Sequence, residues 1–109
     1  MSTNVVITIP NSLFQYHTHL KYFFEGMVRK LDKNSHKKTP TVENVPRIME
    51  LLIGEMTEFL DQFEQNKYDE NSLIELMDQA NFAFLAYVAL RMQGVEHERI
   101  EIQDRSRDV

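Results

Sequence analysis

The run Phe82-Ala-Phe-Leu-Ala-Tyr-Val-Ala-Leu90 has no polar position except the Tyr87 hydroxyl. A helix that is apolar all round is one covered on every side, so this stretch predicts a helix at the centre of a packed domain. It is too short to span a bilayer. Just upstream, on the same predicted helix, stand Glu75, Asp78 and Asn81, each rotated about 60° backwards from the last on the helical wheel. A buried carboxylate without a partner costs on the order of several kcal/mol. The start of this helix therefore predicts a cation beside it, either a structural Lys or Arg partner or a metal carrying a substrate.

Glu75-x-x-Asp78 has a counterpart in Glu55-x-x-Glu58. Residues three apart lie on neighbouring parts of one helical face. Two such helices side by side would gather four carboxylates, the hard oxygen donors that suit a divalent cation such as Mg2+. Spacing alone does not decide the matter, because 17 of 109 residues are acidic and Glu58/Asp61, Asp61/Glu64 and Glu98/Glu101 share it. The surroundings discriminate better. Between Val45 and Asn66, the residues Ile48, Leu52, Met56, Phe59, Leu60 and Phe63 form one broad apolar stripe on a helical wheel. Glu55 falls at its edge, Glu58 one step further round with Leu51 between them, and Asp61 on the opposite side. Ser72-x-x-Glu75 also reads as a capping box, a competing structural role for Glu75.

The chain begins with Val5-Val6-Ile7-Thr8-Ile9 before Pro10, which predicts a short edge strand or an extended arm over residues 1–10. From Asn11 or Ser12, both suitable N-caps, apolar residues recur at helical spacing through Leu31, so a first helix should end near Lys33. His17 and His19, two apart, do not share a face and make a poor zinc pair. Phe23 and its aromatic neighbours either pack in the core or, with His17, line a pocket that stacks on a flat ring such as a nucleobase. The polar segment 32–41 carries Lys33, Lys37 and Lys38. It is either a solvated connection or a set of mobile cations able to close over a polyphosphate.

A second helix should start after Thr41 or Asn44, with Pro46 in its first turn, and run to about Asn66. The short turn Lys67–Glu70 makes helices two and three antiparallel neighbours. Asp69, Asn71 or Ser72 would cap the third helix, which continues to Gln93 and stops at Gly94. Arg91 is the arginine best placed to face something specific. Residues 95–109 are strongly charged, with Val95, Ile100 and Ile102 as apolar anchors, and predict a short fourth helix fraying into a tail at 105–109.

These elements amount to a single all-α domain over residues 1–109, a bundle of three long helices plus a short C-terminal one. A chain of 109 residues buries a modest share of its surface, so association into a homodimer or homotetramer is expected to complete the core. The net charge of -5 and the lack of a dense basic run argue against duplex nucleic acid as partner. There is no cysteine and hence no disulfide or thiolate chemistry. No positively charged leader precedes Val5-Val6-Ile7, and a cytoplasmic protein without a membrane partner is the expectation.

Glu55-Met-Thr-Glu58-Phe-Leu-Asp-Gln-Phe63 followed by Glu75-Leu-Met-Asp78-Gln-Ala-Asn81 resembles the ExxE…ExxD signature of the MazG-like, all-α nucleoside triphosphate pyrophosphohydrolases. Pro46-Arg-Ile-Met-Glu-Leu-Leu-Ile-Gly-Glu55 resembles the lead-in of the dCTP-pyrophosphatase branch, and the likeness covers about residues 12–104. It implies that Glu55, Glu58, Glu75 and Asp78 bind Mg2+ (or Mn2+), with Glu55 or Glu58 also orienting or deprotonating water, and that Asn81 lies near a phosphate or a metal-bound water. It further implies cleavage of a nucleoside triphosphate between its α- and β-phosphates, giving a monophosphate and pyrophosphate, at sites near subunit contacts. Lys33, Lys37, Lys38, Arg91, His17 and Phe23 are the remaining candidates for substrate contact. The chain departs from the pattern at Gly54, where many members have Glu, in having no tryptophan, and in Gln103, Asp104 and Arg105 of the last helix. The alternatives are a non-catalytic helical interaction protein, or hydrolysis of another pyrophosphate-containing nucleotide such as a phosphoribosyl-nucleotide.

Overall fold

The computed structural model describes residues 2–94, and they form three α-helices packed together, with no strand among them. Helix α1 spans His17–Lys33, α2 Val45–Glu64 and α3 Glu70–Met92. The proposed fourth helix and tail, 95–109, lie outside the described residues. Residues 2–10 form neither strand nor helix, with Val5, Val6 and Ile7 exposed.

Local chemistry sets the helix boundaries. A 3-10 turn, Asn11–Tyr16, leads into α1. Neither Asn11 nor Ser12 caps it with a side chain; the Leu13 amide instead donates to the Pro10 carbonyl at 2.9 Å. A second 3-10 turn, Val42–Asn44, leads into α2. There the Thr41 amide donates to Asn44 Oδ1 at 2.9 Å, and Pro46 sits in the first α-helical turn, where a missing N–H costs nothing. Asn66 closes α2 with φ +57°, and the Lys67 amide reaches back to the Gln62 carbonyl at 2.9 Å. This is the left-handed cap that Asn and Gly accept most readily.

Of the three candidate caps for α3, Asp69 takes the position. Its Oδ1 accepts from the amides of Asn71 at 2.9 Å and Ser72 at 3.4 Å, while the Asp69 amide donates back to Ser72 Oγ at 3.0 Å. Ser72 is thus the reciprocal member of a capping box begun by Asp69. The expectation that Glu75 closes a box opened by Ser72 is corrected, because Glu75 lies one turn too far along the helix and its carboxylate is left for other partners.

Both α1 and α2 pack on α3, as does the turn Val42–Asn44, and no direct packing of α1 on α2 is seen among the described residues. Gly26 lets α1 approach, since a Cβ there would run into the Met77 side chain. Yet α3 is not covered on every side, as its apolar run predicts. Ala86, Ala89, Asn81 and Ser72 are buried, whereas Leu73, Leu76, Phe84, Tyr87 and Leu90 are exposed. Two packed neighbours can cover only part of a cylinder, so these apolar side chains of α3 stay largely exposed.

Helix α2 likewise divides its apolar residues between two faces. Ile48 is buried and Leu52 and Phe59 are half-buried, while Met49, Ile53, Met56, Leu60 and Phe63 are exposed at spacings of four and three. The single broad stripe expected from the wheel is therefore two stripes, one inward and one outward. No large side chain among the described residues is fully buried. By length and composition alone α3 would also suffice to cross a membrane. Its carboxylates and buried Asn81, together with the two helices packed on it, instead give it the character of a central helix with a polar site at its start.

Candidate functional site

Three helices contribute to one polar cluster. From α1, the Lys30 ammonium lies 2.9 Å from Asp78 Oδ1 and 3.2 Å from Oδ2. From α2, Gln62 Nε2 donates to Glu75 Oε1 at 3.1 Å. From α3, Asn81 Nδ2 donates to the Met27 carbonyl of α1 at 3.2 Å. Asn81 is 7% exposed, and its Oδ1 has no hydrogen-bond partner among the described residues. The same holds for Glu75 Oε2 and Gln79 Nε2. Buried polar atoms left in this condition are expensive and point to a missing partner.

Glu55, half-buried on α2, makes no hydrogen bond or ion pair with any described residue. Burial pushes its pKa up, and the negative charges of Glu58, Asp78 and Glu75 push it further, while Lys30 pulls it down. The other three predicted carboxylates therefore all bear on Glu55, and Lys30 is the cation that opposes them there. Loss of water disfavours the charged form, and like charges nearby disfavour it again.

A cleft of about 820 Å³ runs along this cluster. Glu55, Asp78, Asn81 and Lys30 line it, together with Lys37, Lys38 and neighbouring polar residues of the 34–40 loop. Ile48, Leu51, Phe82, Phe84, Leu85 and Val88 supply its apolar lining. A second cleft of about 500 Å³, at the turn between α2 and α3, is lined by Gln62, Gln65, Lys67, Asp69, Asn71, Ile74 and Glu75.

Among the described residues no three His, Asp or Glu side chains are already gathered as a metal ligand set. Asp78 is paired with Lys30, and one oxygen of Glu75 accepts from Gln62. The donor chemistry nevertheless fits a small divalent cation. The acidic groups are all carboxylates, Glu75 Oε2 is buried without a partner among the described residues, and Glu55 is held toward its protonated form by burial and by its acidic neighbours.

The other predicted residues separate into two groups. Lys37, Lys38 and Asn81 share the cleft with Glu55 and Asp78. Glu58 is exposed on α2. Lys33, Arg91, His17 and Phe23 do not line the cleft. Lys33 and Arg91 are exposed, His17 Nδ1 lies 2.8 Å from the Phe14 carbonyl, and half-buried Phe23 meets Phe24 edge to face with ring centres 6.5 Å apart. Sequence reasoning missed Lys30 and Gln62. Lys30 carried a readable signal, because it continues the line of Phe23 and Met27 on the apolar face of α1, where a lysine is out of place unless it is paired.

No family model, curated protein or solved structure matches the chain.

Proposed function

We propose that this protein is a Mg2+-dependent nucleoside triphosphate pyrophosphohydrolase, cleaving between the α- and β-phosphates to release a monophosphate and pyrophosphate. The observation that carries the reading is the shared field of Glu55, Glu58, Glu75 and Asp78 beside a cleft that also presents Lys37 and Lys38. Carboxylates and lysines lining one cleft match the two needs of a metal-bound polyphosphate, and its apolar residues offer a surface for a base. A bound Mg2+ (or Mn2+) would supply Lewis-acid charge and a more acidic water.

The chain's own residues would divide the remaining work. Asp78 and Glu75 supply oxygens from the central helix, and Glu58 supplies one from the open side of α2. Glu55 is the carboxylate best suited to take a proton from water, because a raised pKa brings a general base closer to the operating pH. Lys37 and Lys38 would neutralise phosphate, and Asn81 would offer its unpartnered Oδ1 to the ligand or to a water beside it.

The exposed apolar faces of α2 and α3 support an antiparallel bundle completed by a second copy of the chain. Met49, Ile53, Met56, Leu60 and Phe63 form a continuous row at coiled-coil-like spacing, longer than a solitary surface hydrophobe would explain. The same faces are what a non-catalytic interaction protein would use. A panel of nucleoside triphosphates and phosphoribosyl-nucleotides, assayed for monophosphate and pyrophosphate with Mg2+ and with EDTA, separates these readings. We expect metal-dependent release of both products from at least one triphosphate; absence of turnover across the panel would leave the interaction protein standing.

A further inference from the structure

The Lys30–Asp78 pair joins α1 to α3 inside the cleft, yet it has the marks of a replaceable contact. One ammonium spans both carboxylate oxygens, at 2.9 and 3.2 Å, and the side chains are 38% and 26% exposed. Open pairs of this kind contribute little to stability. Lysine is also a compact point charge on a flexible stem, able to change partners without rebuilding a planar fork. Lys30 lines the same cleft as Lys37 and Lys38, and its charge is the one that counters the acidic field on Glu55. A divalent cation held by Asp78 would repel an ammonium about 3 Å from the same oxygens. The ammonium must then leave, and the nearest complementary charge would be a phosphate in the cleft.

Building on the metal and nucleotide reading of the site, we propose that Lys30 is an exchangeable counter-ion. It neutralises Asp78 while no metal is bound and passes to a phosphate oxygen when a divalent cation takes Asp78. No bond is made or broken in this exchange; only the partner of the ammonium changes. A plain structural bridge would behave differently, since its removal would loosen the packing of α1 on α3 and leave metal affinity unchanged or lower.

The test is calorimetry on the full chain with Mg2+ alone, and then with inorganic tripolyphosphate in saturating Mg2+, for wild type, Lys30→Met, Lys30→Arg and Lys21→Met. Lys21 is an exposed lysine of α1 outside the cleft and controls for the change in net charge. Lys30→Met should bind Mg2+ about two- to fivefold more tightly than wild type, the span expected for losing a competitor of this kind. It should bind tripolyphosphate at least about tenfold more weakly. Lys30→Arg, which keeps the competing charge, should bind Mg2+ no more tightly than wild type, and Lys21→Met should change neither property by more than a small factor. Circular dichroism melts establish that each variant folds. If wild type binds Mg2+ but Lys30→Met binds it no more tightly, or no more tightly than Lys21→Met, the exchange is overturned while the metal site stands. If Lys30→Met gains Mg2+ affinity without losing tripolyphosphate, the transfer to phosphate is overturned. If wild type binds no Mg2+, the carboxylate reading fails and the exchange with it.

Discussion

The two carboxylate pairs share one spacing and reach opposite conditions. On α3, Asp78 holds Lys30 and Glu75 accepts from Gln62. On α2, Glu55 and Glu58 have no hydrogen-bond or ion-pair partner among the described residues, and Glu55 is pushed toward its protonated form by burial and by the other three. Spacing directs two side chains to one side of a helix. The charge each can carry depends on what the neighbouring helix brings opposite. The α3 pair has partners built in, a cation for Asp78 and an amide for one oxygen of Glu75, whereas the α2 pair has none among the described residues and has most to gain from a cation.

The largest expected effect would break this division of labour. Glu58→Gln and Asp78→Asn should each lower Mg2+-dependent turnover by at least about 10²-fold, with far-UV circular dichroism nearly unchanged. Retained activity in both would show that the two pairs are structural. A smaller effect tests the difference between the pairs directly. Asp78→Asn removes a part-exposed ion pair and should cost about 0.2–1 kcal/mol without metal, read from denaturant midpoints.

Glu55→Gln should have the opposite sign at neutral pH, raising stability by a few tenths to about 1 kcal/mol. The sign follows from linkage. A carboxyl whose folded pKa is raised binds its proton more tightly when folded, so wild type loses stability as pH climbs from the unfolded toward the folded pKa. The advantage of Gln should therefore be complete above the raised pKa and should vanish below the ordinary carboxylate range, where Glu55 is protonated in both states. A constant difference at all pH values would remove the electrostatic cause. Added Mg2+ should reverse the ranking, because wild type then gains a ligand that Glu55→Gln holds less well.

A last effect of similar size concerns the outward side of α2. A Cβ at Gly54 would meet nothing within 4 Å, whereas one at Gly26 would strike Met77. Gly54→Ala should stabilise the isolated chain by roughly 0.5–1 kcal/mol through helix propensity alone. If thermal melts show a loss that grows with protein concentration, Gly54 lies in a contact between copies, and the apolar row beside it is an interface.

Much of the architecture was readable from residue pattern. The periodicity of apolar residues marked three helices, Pro46 marked the first turn of α2, and Gly94, with φ +100°, sits just past α3 as its position implied. These are local consequences of backbone geometry, and neighbouring residues suffice to produce them. The choice of Asp69 over Ser72 as cap was less legible, because each residue has the right side chain and only the path of the chain into α3 decides which one has its oxygen over the free amides.

The four carboxylates could be proposed from their spacing, their apolar surroundings and the family resemblance, but their pairing could not. Lys30 is 48 residues from Asp78, so only the packing of α1 on α3 could bring the two together. In the same way, the wheel for α2 counted apolar residues without showing that some face inward and others outward, since that depends on how many helices are available to cover them. Helix content and the acidic character of the start of α3 follow from interactions within a few residues. Which carboxylate is neutralised, which is left to repel, and which apolar face stays open follow from the way α1 and α2 pack on α3, because charge pairing and burial are properties of neighbours in space rather than neighbours in the chain.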